Sequence, residues 1–201
     1  MIVVGLTGSI GMGKSTTADM FREAGIPVHD SDAAVHRLYA GSAAPLIEAA
    51  FPGTTVDNVV DRTKLAASVL GKPQALKTLE KIVHPLVRAD ADAFLAEQRA
   101  FSAPLAVLDI PLLFETGGQD RVDVVVVVTA PEEVQQRRVL AREGMTEDKF
   151  LKIRARQLAD AEKRKLADYV IDTSQGFDAA RAEVQKFIAA VKAGHNRKRP
   201  V

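Results

Sequence analysis

Eight consecutive residues near the amino end, Gly8-Ser9-Ile10-Gly11-Met12-Gly13-Lys14-Ser15, have the types needed to hold a polyphosphate. Glycines let backbone N–H groups converge on phosphate oxygens without interference from a Cβ. A helix starting at the lysine would point its positive end at the same oxygens. The spacing Gly8-x4-Gly13-Lys14-Ser15 satisfies the Walker A pattern, in which Lys14 reaches the β- and γ-phosphates and the Ser15 hydroxyl holds Mg²⁺.

Phosphoryl transfer to a hydroxyl further needs a carboxylate to take the proton and cations over the γ-phosphate. Asp30-Ser31-Asp32 follows a short apolar run and supplies two carboxylates, for which the competing role is capping the next helix. Asp109 closes another apolar run and could orient Mg²⁺ through water; Glu115, six residues on, reads as a surface group. Arg138, Arg142, Arg154 and Arg156 are the candidate cations, and Arg138 and Arg142 share a helix face at i,i+4. An arginine lid over a triphosphate would neutralise charge and exclude water. Lys149, Lys152, Lys163 and Lys165 read as a solvated face. His29, His36 and His84 are scattered without i,i+4 pairing and make no case for a metal site.

The elements that must position these residues follow from apolar runs without alternation, which mark strands buried on both faces. Residues 2–6, 105–108, 122–128 and 169–171 are such runs, and 26–28 is a shorter one. Helical patterns separate them, which predicts an α/β domain on a parallel sheet. Helices are expected over 15–24, from a capping box at Thr129-Ala-Pro-Glu132 to Gly144, over 147–166 behind a Thr146 cap, and over 179–191. The segment 33–101 shows no good strand pattern and reads as a helical insertion broken at Pro45, Pro52-Gly53, Gly71 to Pro73 and His84-Pro85. Residues 194–201 are polar and basic and read as a disordered tail.

Composition removes several classes. The 201 residues contain no cysteine, so disulfides and thiolate zinc sites are excluded and a reducing cytoplasm is expected. Folding a chain of this size buries about 70% of its surface. There is neither a basic, apolar leader nor a run of about 20 apolar residues, so no signal peptide and no membrane span are expected. Net charge is +1, which gives no bulk attraction to nucleic acid. Charge is uneven, however: residues 137–165 carry ten Lys/Arg against five Asp/Glu. The chain has no Asp-x-x-Gly and no Asn-Lys-x-Asp, as a GTPase would, and a motor ATPase usually needs more residues. A small-molecule kinase remains.

Over residues 2–185 the chain resembles the dephospho-coenzyme A kinase family. The matching pieces are G-L-T-G-S-I-G-M-G-K-S-T (5–16), D-S-D (30–32), V-H-P (83–85), D-I-P-L-L-F-E (109–115), Q-Q-R-R-V-L-A-R-E-G (135–144), Q-L-A-D-A-E-K-R (157–164) and A-D-Y-V-I-D-T (167–173). The first is generic; the ordered set of the others is specific. The resemblance implies a three-layer P-loop core with a central parallel five-stranded sheet (1–32, 102–136 and 167–193), a helical substrate-binding insertion (33–101) and an arginine-bearing helical lid (137–166). It implies ATP and Mg²⁺, with dephospho-CoA phosphorylated on its ribose 3′-hydroxyl in the last step of coenzyme A synthesis. Asp32 matches the family's general base. ATP falls to Gly8, Gly11, Met12, Gly13, Lys14, Ser15, Thr16, Arg138 and Arg142; substrate to Asp32, His84 and Leu112; metal to Ser15 and, through water, Asp109. A cytoplasmic monomer or small homo-oligomer, without nucleic acid or membrane, is expected. Ser9, Met12 and Thr173 depart from the family's frequent Gly, Ser and Asn. The alternative is another small-molecule P-loop kinase, such as one acting on nucleoside monophosphates.

Overall fold

The computed structural model describes residues 1–194. The expected tail therefore lies, apart from Gly194, outside the described residues. Among the described residues two compact units are present, Asp30–Glu97 and a larger one formed by Met1–His29 with the described chain after Glu97.

The larger unit is built on β1 (Ile2–Thr7), β2 (Val28–Asp30), β5 (Leu105–Asp109), β6 (Val124–Thr129) and β7 (Tyr169–Asp172). They form one sheet in the order β2-β5-β1-β6-β7. The β1–β5, β1–β6 and β6–β7 pairs are parallel. The valine run of β6 shows why its strand lacks alternation. Val124, Val126 and Val128 pack with α1 (Lys14–Glu23) and α9 (Phe177–Lys192), whereas Val125 and Val127 pack with Leu113, Phe114 and Ala167 on the opposite face. Both faces are dry, so every residue is apolar. On the first face Phe21 is fully buried and meets Phe187 edge-on at 6.0 Å.

One strand lies two residues later than expected. Gly25, in the left-handed region, ends α1, and the Ile26 N–H bonds back to the Phe21 carbonyl. Pro27 has no N–H to give a ladder, though its carbonyl accepts from the Val107 N–H at 2.9 Å, and the strand runs from Val28. The expected capping box before α6 (Glu132–Leu140) is also absent: the cap is Pro131, and the Thr129 hydroxyl bonds Asp160 instead at 2.8 Å. Thr146 does cap α7 (Glu147–Arg154), accepting from the Lys149 N–H. The helix expected over 147–166 divides, though, and α8 (Asp160–Leu166) starts after a non-helical joint.

The smaller unit holds α2 (Ser31–Tyr39), α3 (Ala44–Ala50), α4 (Arg62–Val69) and most of α5 (Pro73–Ala100) around Ile47, Leu65, Leu79 and Val83. It also contains a hairpin that sequence reading did not expect, β3 (Thr55–Val56) with β4 (Val59–Val60). Its turn residues Asp57 and Asn58 both have positive φ, as a tight two-residue hairpin requires. Glu48 fixes the hairpin's entry by accepting from the Gly53 and Thr55 N–H groups, bonds that lower its pKa.

The predicted break at His84-Pro85 does not occur either; α5 runs for 28 residues through Pro85. An interior proline costs about 3 kcal/mol. The helix buries Leu79, Val83 and Leu95 along its length, each contributing about 1.5–3 kcal/mol. Packing outweighs the break.

Candidate active site

The loop between β1 and α1 is pressed against its surroundings at two glycines. A Cβ on Gly8 would sit 2.7 Å from the Val128 carbonyl oxygen. Gly11 has φ +79°, and a Cβ there would strike Val139 and approach the Gln135 carbonyl to 3.0 Å. No side chain caps α1, whose N-cap is Gly13. The first N–H groups of a helix have no partner within it, so those following Gly13 face the loop's concavity with the helix dipole behind them. Met12 contributes backbone here and not a polar side chain. Its sulfur accepts from the Ala130 N–H at 3.1 Å, and its carbonyl accepts from the Thr173 hydroxyl at 2.8 Å.

Lys14 Nζ lies 2.7 Å from Asp109 Oδ1, and the Asp109 side chain is 4% exposed. Parallel pairing sets this contact, because β1 and β5 align Leu6 with Asp109. The sequence-predicted lysine and carboxylate are therefore together. Ser15, the second residue of α1, is exposed. Among the described residues no three His, Cys, Asp or Glu side chains gather into a metal site.

Arg138 and Arg142 also meet, around a hollow of about 200 Å³ lined by Gly11, Gly13, Thr16 and Phe177 as well. Arg138 donates to the Thr173 hydroxyl and carbonyl, both at 2.8 Å. The exposed Phe177 ring at this hollow was not anticipated. Arg154 is taken up in an ion pair with Glu132 and lies over the Phe150 ring at 5.4 Å. It borders a second hollow, of about 880 Å³, with Ser9, Met12, Gln157, Asp160 and Arg164.

Lys163 overturns an expectation. It is completely buried, not solvated, and pairs with Glu115 Oε1 at 2.9 Å. Glu115 is no idle surface group, since it also accepts from the Leu158 N–H at 2.7 Å. The pair fixes α8 to the loop that follows Asp109. Removing one partner of a buried pair leaves a charge without compensation, a loss of about 3–5 kcal/mol. Leu112, in the same loop, is 41% exposed.

In the smaller unit the two aspartates of D-S-D separate in role. Asp30 caps α2 by accepting from the Ala33 N–H at 2.9 Å. Asp32 instead lines a cavity of about 470 Å³ with Val35, His36, Tyr39, Arg62 and Leu65. Burial pushes the Tyr39 hydroxyl above its ordinary pKa, and the Arg62 charge partly offsets this. His84 is not in this cavity. It stands with Lys77, Lys81 and Arg88 along α5, around a separate depression of about 370 Å³.

A parallel sheet whose first strand feeds a glycine loop, a lysine at a helix start and a carboxylate on the neighbouring strand define a P-loop kinase. The family model described as dephospho-CoA kinase matches residues 2–179. A dephospho-CoA kinase of Mesorhizobium japonicum is 72% identical over 188 residues, 94% of this chain and 95% of the relative. One from Rhodopseudomonas palustris is 58% identical over 200 residues, covering both chains completely. Among solved structures, TT1252 from Thermus thermophilus is 38% identical with TM-score 0.83, covering 94% of this chain and 96% of that one. The dephospho-CoA kinase from Campylobacter jejuni is 26% identical with TM-score 0.70, over 96% and 98%. The chain belongs to the dephospho-CoA kinase family.

Proposed function

We propose a division of labour for this family's reaction, transfer of the ATP γ-phosphoryl group to the ribose 3′-hydroxyl of dephospho-CoA to give coenzyme A and ADP. The observation that carries it is the Lys14–Asp109 pair beneath the glycine loop. Lys14 and the loop N–H groups hold the β- and γ-phosphates. Residues 1–32, 102–136 and 167–193 act as the nucleotide core, 33–101 as the acceptor-binding insertion, and 137–166 as the lid.

Mg²⁺ fits these residues. It binds through one or two carboxylates, waters and substrate phosphates, without a protein cage, and one hydroxyl (Ser15) and one carboxylate (Asp109) are the groups available. Ser15 and, through water, Asp109 would hold it, and it would supply neutralisation of phosphate charge.

Arg138, already held by Thr173, positions the nucleotide, and Arg142 stabilises charge developing in the transition state. Arg142→Ala then lowers kcat by about 10²-fold, as other lost electrostatic donors do. Arg142→Lys loses activity too, because the planar two-pronged fork is gone. If lysine substitutes freely, general attraction by the basic segment is the better account.

Dephospho-CoA presents phosphates and a long pantetheine arm. The cavity beside Asp32 offers Arg62 and His36 for anions, and Val35, Leu65 and Val69 for an apolar chain. His84 and Leu112 are further candidate contacts for the substrate. Binding energy from remote parts of a substrate can promote reaction at a distant hydroxyl. We therefore expect kcat/KM for dephospho-CoA at least ~10²-fold above that for AMP or adenosine. Equal efficiency with AMP in a steady-state assay would make the chain a nucleotide kinase. The reaction needs no nucleic acid or membrane, and no helix among the described residues is long and apolar enough to cross one. A cytoplasmic monomer or small homo-oligomer completes the reading; light scattering on the purified protein tests the oligomeric state.

A further inference from the structure

One residue of the phosphate loop is held through both of its backbone polar groups by side chains. The Ile10 N–H donates to Gln157 Oε1 at 3.0 Å, and the Ile10 carbonyl accepts from Gln135 Nε2 at 2.7 Å. A residue in a glycine loop has neither a helix nor a sheet ladder to satisfy these groups, and leaving them unpaired away from water is costly. A glutamine amide carries both a donor and an acceptor, so one residue type can satisfy either group. Gln135 is 3% exposed, on the α6 face that also meets Gly11.

Gln157 sits in the joint between α7 and α8. The N–H of the next residue, Leu158, bonds Glu115 in the loop after Asp109. Two consecutive residues therefore tie the end of the basic α7 segment to both loops of the phosphate site. We propose that Gln135 and Gln157 are positioning residues: they fix the orientation of the Ile10 peptides so that the loop's remaining N–H groups face the phosphates. Gln157 also makes that orientation depend on where α7 sits. The proposal rests on the reading of residues 8–15 as the ATP phosphate loop, and not on the identity of the acceptor.

The two amides play opposite parts, which provides the test. Glutamate can replace Gln157, because a carboxylate still accepts from the Ile10 N–H. It cannot replace Gln135, because a carboxylate would face the Ile10 carbonyl. Calorimetric Kd values for Mg-ATP, with Tm measured alongside, are to be compared for Q157M, Q157E, Q135M and Q135E. Loss of one such hydrogen bond is expected to weaken ATP binding by about tenfold in Q157M. Q157E should lie closer to wild type than Q157M, whereas Q135E should be weaker than Q135M. Two results overturn the proposal. In one, both glutamate variants are the weaker of their pairs, which is simple repulsion of ATP. In the other, Tm shifts while Kd stays at the wild-type value, which is a structural role only. Wild-type protein that binds no Mg-ATP would instead remove the phosphate-loop reading beneath it.

Discussion

Asp32→Asn should lower kcat by about 10²–10⁴ while ATP affinity stays close to wild type, the range expected if Asp32 is the general base. The substitution keeps the size and shape of the side chain and removes its basicity. Its neighbour supplies the control. Asp30 is committed to capping α2 through the Ala33 N–H, and asparagine caps a helix as well as aspartate does. Asp30→Asn keeps that cap and should leave kcat within about threefold. Asp32 lines the cavity of the smaller unit with Arg62 and His36. An Asp32→Asn enzyme within threefold of wild type would remove Asp32 from the chemistry and leave it a pocket-lining residue.

The second large effect is at Lys14. Lys14→Met should reduce kcat/KM for ATP by about 10²–10³, comparable to the loss of one preorganised donor to developing charge. It should also reduce stability. Asp109 is 3% exposed and its carboxylate lies 2.7 Å from Lys14 Nζ, so the variant breaks a buried pair, a change that costs about 3–5 kcal/mol. Adding Asp109→Asn removes the carboxylate charge. The double variant should recover most of the stability, read by urea denaturation, and none of the activity. Activity that returns with stability would mean that Lys14 serves the fold and not the phosphates.

The phosphate loop was readable because its chemistry is local. Glycine spacing, a preceding apolar run and a following helix all lie within about twenty residues, and parallel pairing of β1 with β5 then delivers Asp109 to Lys14. Features that depend on a distant partner were not readable in the same way. Lys163 stands in a Lys-Arg-Lys run that looks solvated, and only the fold brings Glu115 to bury it. Gln157 looks like any polar residue in a helix until the joint between α7 and α8 turns it toward Ile10. Thr129 had the spacing of a cap, but Asp160 competes for its hydroxyl.

Two misses had a local signal. Val56-Asp57-Asn58-Val59 is a pair of turn residues between β-branched ones, the pattern of a tight hairpin. Pro85 does not end the helix, because buried apolar positions stand both before it, at Leu79 and Val83, and after it, at Ala91 and Leu95. Asp30 and Asp32 divide in the remaining way. Sequence spacing identifies the pair, and the cap geometry separates Asp30, which caps α2, from Asp32, which lines the cavity beside Arg62.

The central claim is that the γ-phosphoryl group of ATP bound at Gly8 to Ser15 goes to a sugar hydroxyl of a nucleotide that already carries phosphate. Phosphorus NMR of the product formed from Mg-ATP and dephospho-CoA tests this most directly. The account predicts one new phosphomonoester resonance coupled to the ribose 3′-proton, with the acceptor's diphosphate unchanged. A new phosphate joined to an existing phosphate, or a phosphoester at another hydroxyl, would contradict it.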